Sequence, residues 1–302
     1  MAVSTTGAGP ADPAARRAPL DAVPSPALVL GAVASVQIGA SLAKSLFDDV
    51  GPGGTVLLRV LLAAVLLCLI WRPSARGLTR SQLMLVLGYG VALAGMNFAF
   101  YAALDRIPLG VAVTLEFVGP LGVAVAGSRR ALDLLWVVLA AGGILLLADL
   151  GGDDSDAAGV ALALLAGGFW AAYILIAARA GAAFAGGSGL AVAMVVAGAV
   201  LLPFGIADGG AELLEPGVLA VGAGVAILSS AVPYSLELEA LRRLPARVFG
   251  VLMSLEPGMA ALAGFVVLGE ALGTREVIAI GLVVVASAGA ARTAERAPPA
   301  RD

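Results

Sequence analysis

An all-α integral membrane fold, ten transmembrane helices arranged as two inverted five-helix repeats, is what this sequence predicts. Three observations carry it. The first is composition: mean hydropathy is +1.01, and 60% of the 302 residues are hydrophobic against 13% charged. A soluble domain is about half apolar and a quarter charged, so lipid must be the solvent here. The second is a succession of apolar runs of bilayer length. The third is an arginine that returns at every second break between them.

A crossing needs about 20 mostly apolar residues. Residues 1–26 precede the first run; they are Pro, Ala and Ser rich, carry Arg16 and Arg17, and lack an apolar core of signal-peptide length. They read as a disordered cytoplasmic tail. The first span is 27–46, closed by Asp48-Asp49-Val50-Gly51-Pro52, and the second is 53–71, followed by Arg72, Arg76 and Arg80. The third is 82–103, with Arg106 after it. The fourth is 108–127, followed by Arg129 and Arg130. The fifth, 131–149, runs into an acidic stretch from Asp149 to Asp156. The sixth, 157–179, ends at Arg179; the seventh is 188–206, followed by Asp208, Glu212 and Glu215. The eighth, 216–240, ends at Arg242 and Arg243. The ninth is 245–268, with Arg275 after it, and the tenth is 275–292. Residues 293–302 form a second short tail with Arg296 and Arg301. Single segments of this length satisfy their backbone in lipid only as helices; the ~10-residue alternating strands of a barrel are not seen.

The arginines fall on alternate sides and the aspartates and glutamates gather on the other. The positive-inside rule then places both termini in the cytoplasm. A missed or invented helix would scramble this alternation.

The segment Tyr101-Ala-Ala-Leu-Asp-Arg-Ile-Pro108 matches Leu238-Glu-Ala-Leu-Arg-Arg-Leu-Pro245 at an offset of 137, and Thr114-Leu115-Glu116 matches Ser254-Leu255-Glu256 at 140. Five helices per half is an odd number, so the second half, 157–292, enters the membrane opposite to the first, 27–149. Inverted repeats with a midplane site recur in secondary transporters.

Glu116 and Glu256 lie near the middle of their spans. A carboxylate at that depth costs several kcal/mol unless protonated, paired or hydrated, which marks it as a functional-site candidate. Such an acid can take a proton from one side and release it to the other; the plain structural reading is a neutral acid bonded to a neighbouring helix. Pro120 and Pro257 lack an N–H, so the carbonyls of Glu116 and Met253 lose their helical partners. Such carbonyls could hold the amino group of a zwitterion, or simply mark a kink. Gln37 and Asn97, deep in spans one and three, read as interhelical glue or as a polar path. Trp170 and Tyr173 could wall a site or pack against lipid. Tyr234 is the repeat counterpart of Asn97, and Ser254 precedes Glu256 in the repeated triplet. Lys44 and Arg59 lie near the outer ends of spans one and two, Arg59 about 9 Å in at 1.5 Å per residue. Both either snorkel or meet a substrate carboxylate. Glu237 and Glu239, close to Arg242, Arg243 and Arg247, read as an interfacial salt-bridge cluster.

Composition also excludes. There is no histidine, which removes imidazole metal sites and His relays. Cys68 is the one cysteine, so no intrachain disulfide forms. Nothing is basic enough for nucleic acid, and Gly222-Ala-Gly224 lies in an apolar run rather than a nucleotide loop. No cofactor is expected. An intramembrane lipid or prenyl transferase would rest on Asp153-Asp154-Ser155-Asp156 as a Mg²⁺ cluster, a run that reads better as a solvated loop. A channel would need a pore-lining polar stripe, which is not visible.

The sequence closely resembles the EamA-type drug/metabolite transporters, nearest to the threonine/homoserine exporter branch. The resemblance is carried by Ala34-Ser-Val-Gln-Ile-Gly-Ala-Ser-Leu-Ala-Lys44, Gly95-Met-Asn97 with Tyr101, Ile107-Pro-Leu-Gly-Val-Ala-Val-Thr-Leu-Glu116-Phe-Val-Gly-Pro120 and Gly127-Ser-Arg-Arg-Ala-Leu-Asp133. In the second half it is carried by Ser229-Ser-Ala-Val-Pro-Tyr-Ser-Leu-Glu237, Leu241-Arg-Arg-Leu-Pro-Ala-Arg247 and Met253-Ser-Leu-Glu-Pro257. It spans residues 27 to 290. It implies a bacterial inner-membrane exporter with ten helices in two five-helix halves, acting on a small polar metabolite. Proton coupling through Glu116, Glu256 or both is expected from the two acids themselves, with uniport the alternative; membrane lipid and a monomer or dimer complete the expected partners. Related carriers differ in cargo, so another metabolite or a drug is the alternative.

Overall fold

The computed structural model describes residues 23–73, 78–126, 131–147, 156–184, 187–233, 236–237, 240 and 252–294. Both expected tails lie almost wholly outside these residues. So do Tyr234, Glu239, the arginines at 76, 129, 130, 242, 243 and 247, and the aspartates at 149, 153 and 154.

Every regular element described is helical. In chain order they are α1 (Ser25–Lys44), α2 (Phe47–Trp71), α3 (Arg80–Leu104), α4 (Leu109–Glu116), α5 (Val118–Ala126) and α6 (Ala131–Leu147). Then come α7 (Ala157–Ala183), α8 (Ser188–Gly209), α9 (Pro216–Ala226), α10 (Glu256–Ala263) and α11 (Thr274–Ala294). By length and composition five stretches can cross a membrane: Ser25–Lys44, Phe47–Trp71, Arg80–Leu104, Ala157–Ala177 and Ser188–Leu214. Leu109–Val123, Leu135–Leu146, Pro216–Ala231 and Glu256–Leu268 are shorter apolar helices. Large apolar side chains such as Leu69 and Val266 stand two-thirds exposed on the outside, where in water they would form an adhesive patch.

Local chemistry sets the helix ends. Thr79 and Gln82 form a capping box at the start of α3. Asp156 caps α7 by accepting from the Gly159 N–H at 2.9 Å. That bond, with the Arg106 guanidinium at 3.0 Å, holds the Asp156 carboxyl below the usual carboxylate range. The break expected at Asp48–Pro52 is sharper than a loop. A helical turn from Phe47 meets Gly51 at φ +66°, which only glycine adopts freely, and the helix restarts at Pro52. Asp208 from α8 accepts the Gly53 N–H at 2.9 Å and caps the restart.

Two predicted helices are interrupted. The fourth span is not continuous: α4 stops at Glu116 and α5 starts at Val118. In the ninth, Ser254 and Leu255 form a turn and α10 begins at Glu256. The eighth passes from α9 into a π-helical turn at Ile227–Ala231.

In the packing, α2 lies on α8, α4 on α10 and α6 on α11. Also, α3 packs on α7 and α8, while α1 packs on α9 with its π turn and on α10. Among the polar ties that join residues before 150 to residues after it are Lys44–Glu270 at 2.6 Å, Arg106–Asp156 at 3.0 Å and Gly53–Asp208 at 2.9 Å. The short links from α1 to α2 and from α3 to α4 put all three at one end of the bundle.

Candidate functional site

Both interrupted helices deliver an acid. Pro120 cannot donate to the Glu116 carbonyl, so α4 closes with the Phe117 N–H on Val113 O at 3.0 Å. The freed Glu116 carbonyl packs against Gly167 of α7, where a Cβ would lie only 2.6 Å from it. A Cβ on Gly119 would clash with Gly167 O. Backbones therefore touch at this point, and two glycines permit it. On the other side Pro257 frees the Met253 carbonyl, the chain turns through 254–255, and Glu256 opens α10.

Glu116 and Glu256 face one cavity of about 260 Å³, just under the ~300–1,000 Å³ of drug-sized sites. Of the residues singled out from sequence, Gln37, Arg59, Asn97, Glu116, Trp170, Tyr173 and Glu256 line it. Gln37 Nε2 donates to Glu256 Oε1 at 3.2 Å. Arg59 Nη1 donates to Asn97 Oδ1 at 2.8 Å and to the Tyr101 hydroxyl at 3.5 Å, and its guanidinium lies 5.5 Å from the Tyr101 ring centroid. Asn97 Nδ2 is committed to Leu93 O at 2.8 Å, which fixes the amide so that its oxygen faces the arginine. Arg59 thus has neutral partners and makes no salt bridge among the described residues. Trp170 stands edge-on to Phe117, the residue at the α4 break, with centroids 5.4 Å apart. Tyr173 packs on Tyr89 at 5.5 Å.

Other candidates fall elsewhere. Lys44 is outside the cavity: at the end of α1 its ammonium pairs with Glu270 at 2.6 Å, a nearer and better partner than a substrate carboxylate. Glu270 also accepts the Leu109 N–H at 2.9 Å, capping α4. Ser254 is buried in the turn before α10 and does not line the cavity. Pro120 and Pro257 act through the breaks, not as lining groups.

Glu237 corrects the interfacial reading, because it lines the cavity as a third carboxyl. So do Ser229 and Pro233. The three are spaced four apart, one helical face, and that signal was present in the sequence. Ser229 had entered only as part of a motif. The cavity therefore sets one guanidinium against three carboxyl groups, with amide, hydroxyl and aromatic groups between them.

Apolar helices of bilayer length around a buried, charged cavity of metabolite size define a membrane transport protein. A family model described as "EamA-like transporter family" matches residues 157–292. The threonine/homoserine exporter RhtA of Escherichia coli K12 is 46% identical over 271 residues, 89% of this chain and 92% of that protein. RhtA of Salmonella typhimurium LT2 is 46% identical over 273 residues, 90% of this chain and 92% of its own. This chain belongs to the EamA-like transporter family. A solved crystal structure superposes with a TM-score of 0.59 over 89% of this chain and 99% of its own, at 21% identity, which shows a shared fold alone.

Proposed function

We propose that this chain is a secondary transporter of the bacterial inner membrane. On this reading it exports small hydroxylated amino acids of the threonine and homoserine kind in exchange for protons. The observation that carries the mechanism is the pair of acids at helix breaks, Glu116 and Glu256, facing one cavity with Arg59. The substrate class rests on the RhtA relatives, whose 46% identity runs almost end to end.

The cavity offers opposite charges to the two ends of a zwitterion. Arg59, held by Asn97 and Tyr101, receives the carboxylate. The carboxyl groups receive the ammonium. Proton and ammonium then compete for the same carboxyl oxygens, so loading substrate releases a proton and unloading takes one up. Exchange follows without any further part. A volume of about 260 Å³ favours an amino acid over a bulky drug.

Alternating access uses two inverted halves, 27–149 and 157–292, making ten crossings with both termini in the cytoplasm. The packing supports this reading. Counterpart helices lie on each other: α2 on α8, α4 on α10, α6 on α11. The contact of α1 with α9 has its image in α3 with α7. The lining residues support it as well. Val113 and Glu116 match Met253 and Glu256 at the offset of 140, and Met96 and Phe100 match Pro233 and Glu237 at 137.

The test is efflux of labelled threonine and of labelled homoserine from proteoliposomes with and without a pH gradient. Saturable efflux accelerated by protons on the receiving side is expected. Efflux indifferent to the gradient removes the coupling, and no saturable efflux of either amino acid removes the substrate assignment.

A further inference from the structure

Two buried polar atoms without a partner sit on side chains that are already joined. Gln37 Nε2 donates to Glu256 Oε1 at 3.2 Å. Gln37 Oε1 and Glu256 Oε2 are closed off and make no hydrogen bond among the described residues. Each of these atoms shares a planar head group with one end of the existing bond. Native interiors seldom leave such atoms unmade. Written as a carboxylate, Glu256 leaves two acceptors here and no donor. A proton on Oε2 turns that oxygen into a donor, and Gln37 Oε1 is the neighbouring acceptor. The terminal torsions of Glu and Gln are broad, so the two planes align at little cost. One hydrogen then satisfies both atoms, and acid and amide close a ring of two bonds.

The surroundings of Glu256 supply no counter-charge. Its helix, α10, packs on α1, α4 and α11. Apart from Gln37, α1 brings only Lys44, which Glu270 holds at 2.6 Å. From α4 comes Glu116, a like charge, and Glu237 on the same cavity is another. The charged residues of α11 are Arg275, Glu276 and Arg292, in its first and last turns. Arg59 of α2 bonds Asn97 and Tyr101. Glu256 itself makes no salt bridge among the described residues. A buried carboxylate without a cation is costly, and a proton removes that cost. Glu116 differs: it makes no hydrogen bond among the described residues, yet its oxygens are not among the closed-off atoms, so the cavity reaches them.

We propose that Glu256 holds the exchanged proton in this state, as an acid–amide pair with Gln37, and that Gln37 is the positioning residue through which the α1–α10 contact depends on that proton. Release follows when the ring opens: the Oε2–H bond breaks, the proton passes to a water, and the electron pair stays on Oε2. The carboxylate left behind sits at the N–H end of α10, which accommodates it. Gln37 Oε1 then faces an acceptor instead of a donor, and one of the two bonds between α1 and α10 is gone. The proposal rests on the proton-exchange reading above; it names the acid that is loaded and the group that keeps it so.

The measurement is infrared difference spectroscopy of the full chain in membranes at neutral pH. Wild type minus E256Q shows the carbonyl band of one protonated acid. In Q37L that band moves to higher frequency, because both bonds of the ring are lost. Q37N, whose amide is one methylene short of the acid, moves it in the same direction and serves where Q37L does not fold. Carboxylate bands in place of the acid carbonyl overturn the protonation of Glu256. A band at one frequency in wild type and in the folded Gln37 variants overturns the role of Gln37. Neither readout involves transport: a chain that exchanges no amino acid for protons fails in the efflux assay and leaves these bands as they are.

Discussion

Removing the Glu270 carboxylate should open the end of the bundle at which α1 stops. Glu270 makes two charge-assisted bonds, to Lys44 at 2.6 Å and to the Leu109 N–H at 2.9 Å. Both join residues before 150 to residues after it, since Lys44 and Leu109 come before and Glu270 after. A hydrogen bond to a charged group is worth ~1.5–3 kcal/mol. The Lys44 and Glu270 side chains are 28% and 14% exposed, which puts the ion pair nearer ~1 kcal/mol. E270A therefore takes about 2.5–4 kcal/mol from the closed form. At ~1.4 kcal/mol per decade that is roughly 60- to 700-fold in the opening equilibrium. K44A removes only the first bond, for about fivefold. The assay is the rate at which a membrane-impermeant thiol reagent, applied from that side, labels S229C in a Cys68→Ala background. The double variant K44A/E270A should match E270A alone, because Lys44 has no other bond among the described residues to lose. Labelling no faster in E270A than in the parent, or effects of the two substitutions that multiply, would refute the latch.

Three further outcomes are expected. R59K should raise the apparent KM for threonine at least tenfold, because a lysine cannot bond Asn97 and a carboxylate together in the planar arrangement of a guanidinium; N97A should cost about fivefold, and equal losses in the two variants would contradict the positioning role. G167A should lower thermal stability by ~1–3 kcal/mol, as overpacking does, since its methyl meets the Glu116 carbonyl at 2.6 Å; an unchanged melting temperature argues against that contact. Asp156, whose carboxyl lies below its ordinary range, stabilises the α7 start at neutral pH, and the contribution disappears as pH falls through its lowered value. D156N should therefore flatten the acid limb of a stability-versus-pH profile, and an unaltered limb would count against the cap.

How much of this was legible from sequence depends on how far apart the partners are. The breaks at Glu116 and Glu256 could be anticipated because proline acts on a carbonyl four residues away, a local effect. The fate of the Glu116 carbonyl could not, because Gly167 reaches it through tertiary packing. Lys44 read as a snorkelling or substrate-binding cation for the same reason: its partner is 226 residues on. Glu237 was lost differently. Arginines close in sequence suggested an ion cluster, while the offset of 137 already aligned Glu237 with Phe100 of the cavity wall. The repeat was the better guide, since it reports on tertiary position and charge proximity in sequence does not.

The repeat is also imperfect where that matters most. Glu116 is the last residue of α4, beside the unpaired carbonyls of a helix C-terminus. Glu256 is the first residue of α10, at the N–H end. Helix ends of opposite polarity thus meet the two acids, and such ends favour opposite charges in their vicinity. A C-terminal end draws a cation, so on the proposed exporter reading Glu116 is the first of the carboxyl groups to meet the ligand ammonium. Glu256 is left to Gln37 and the N–H end of α10, a place for negative charge. The two matching segments therefore set their acids at helix ends of opposite polarity. The position of the proline produces the difference. A proline three residues beyond the break puts the first acid at a helix end, and a proline directly after the acid puts the second at a helix start.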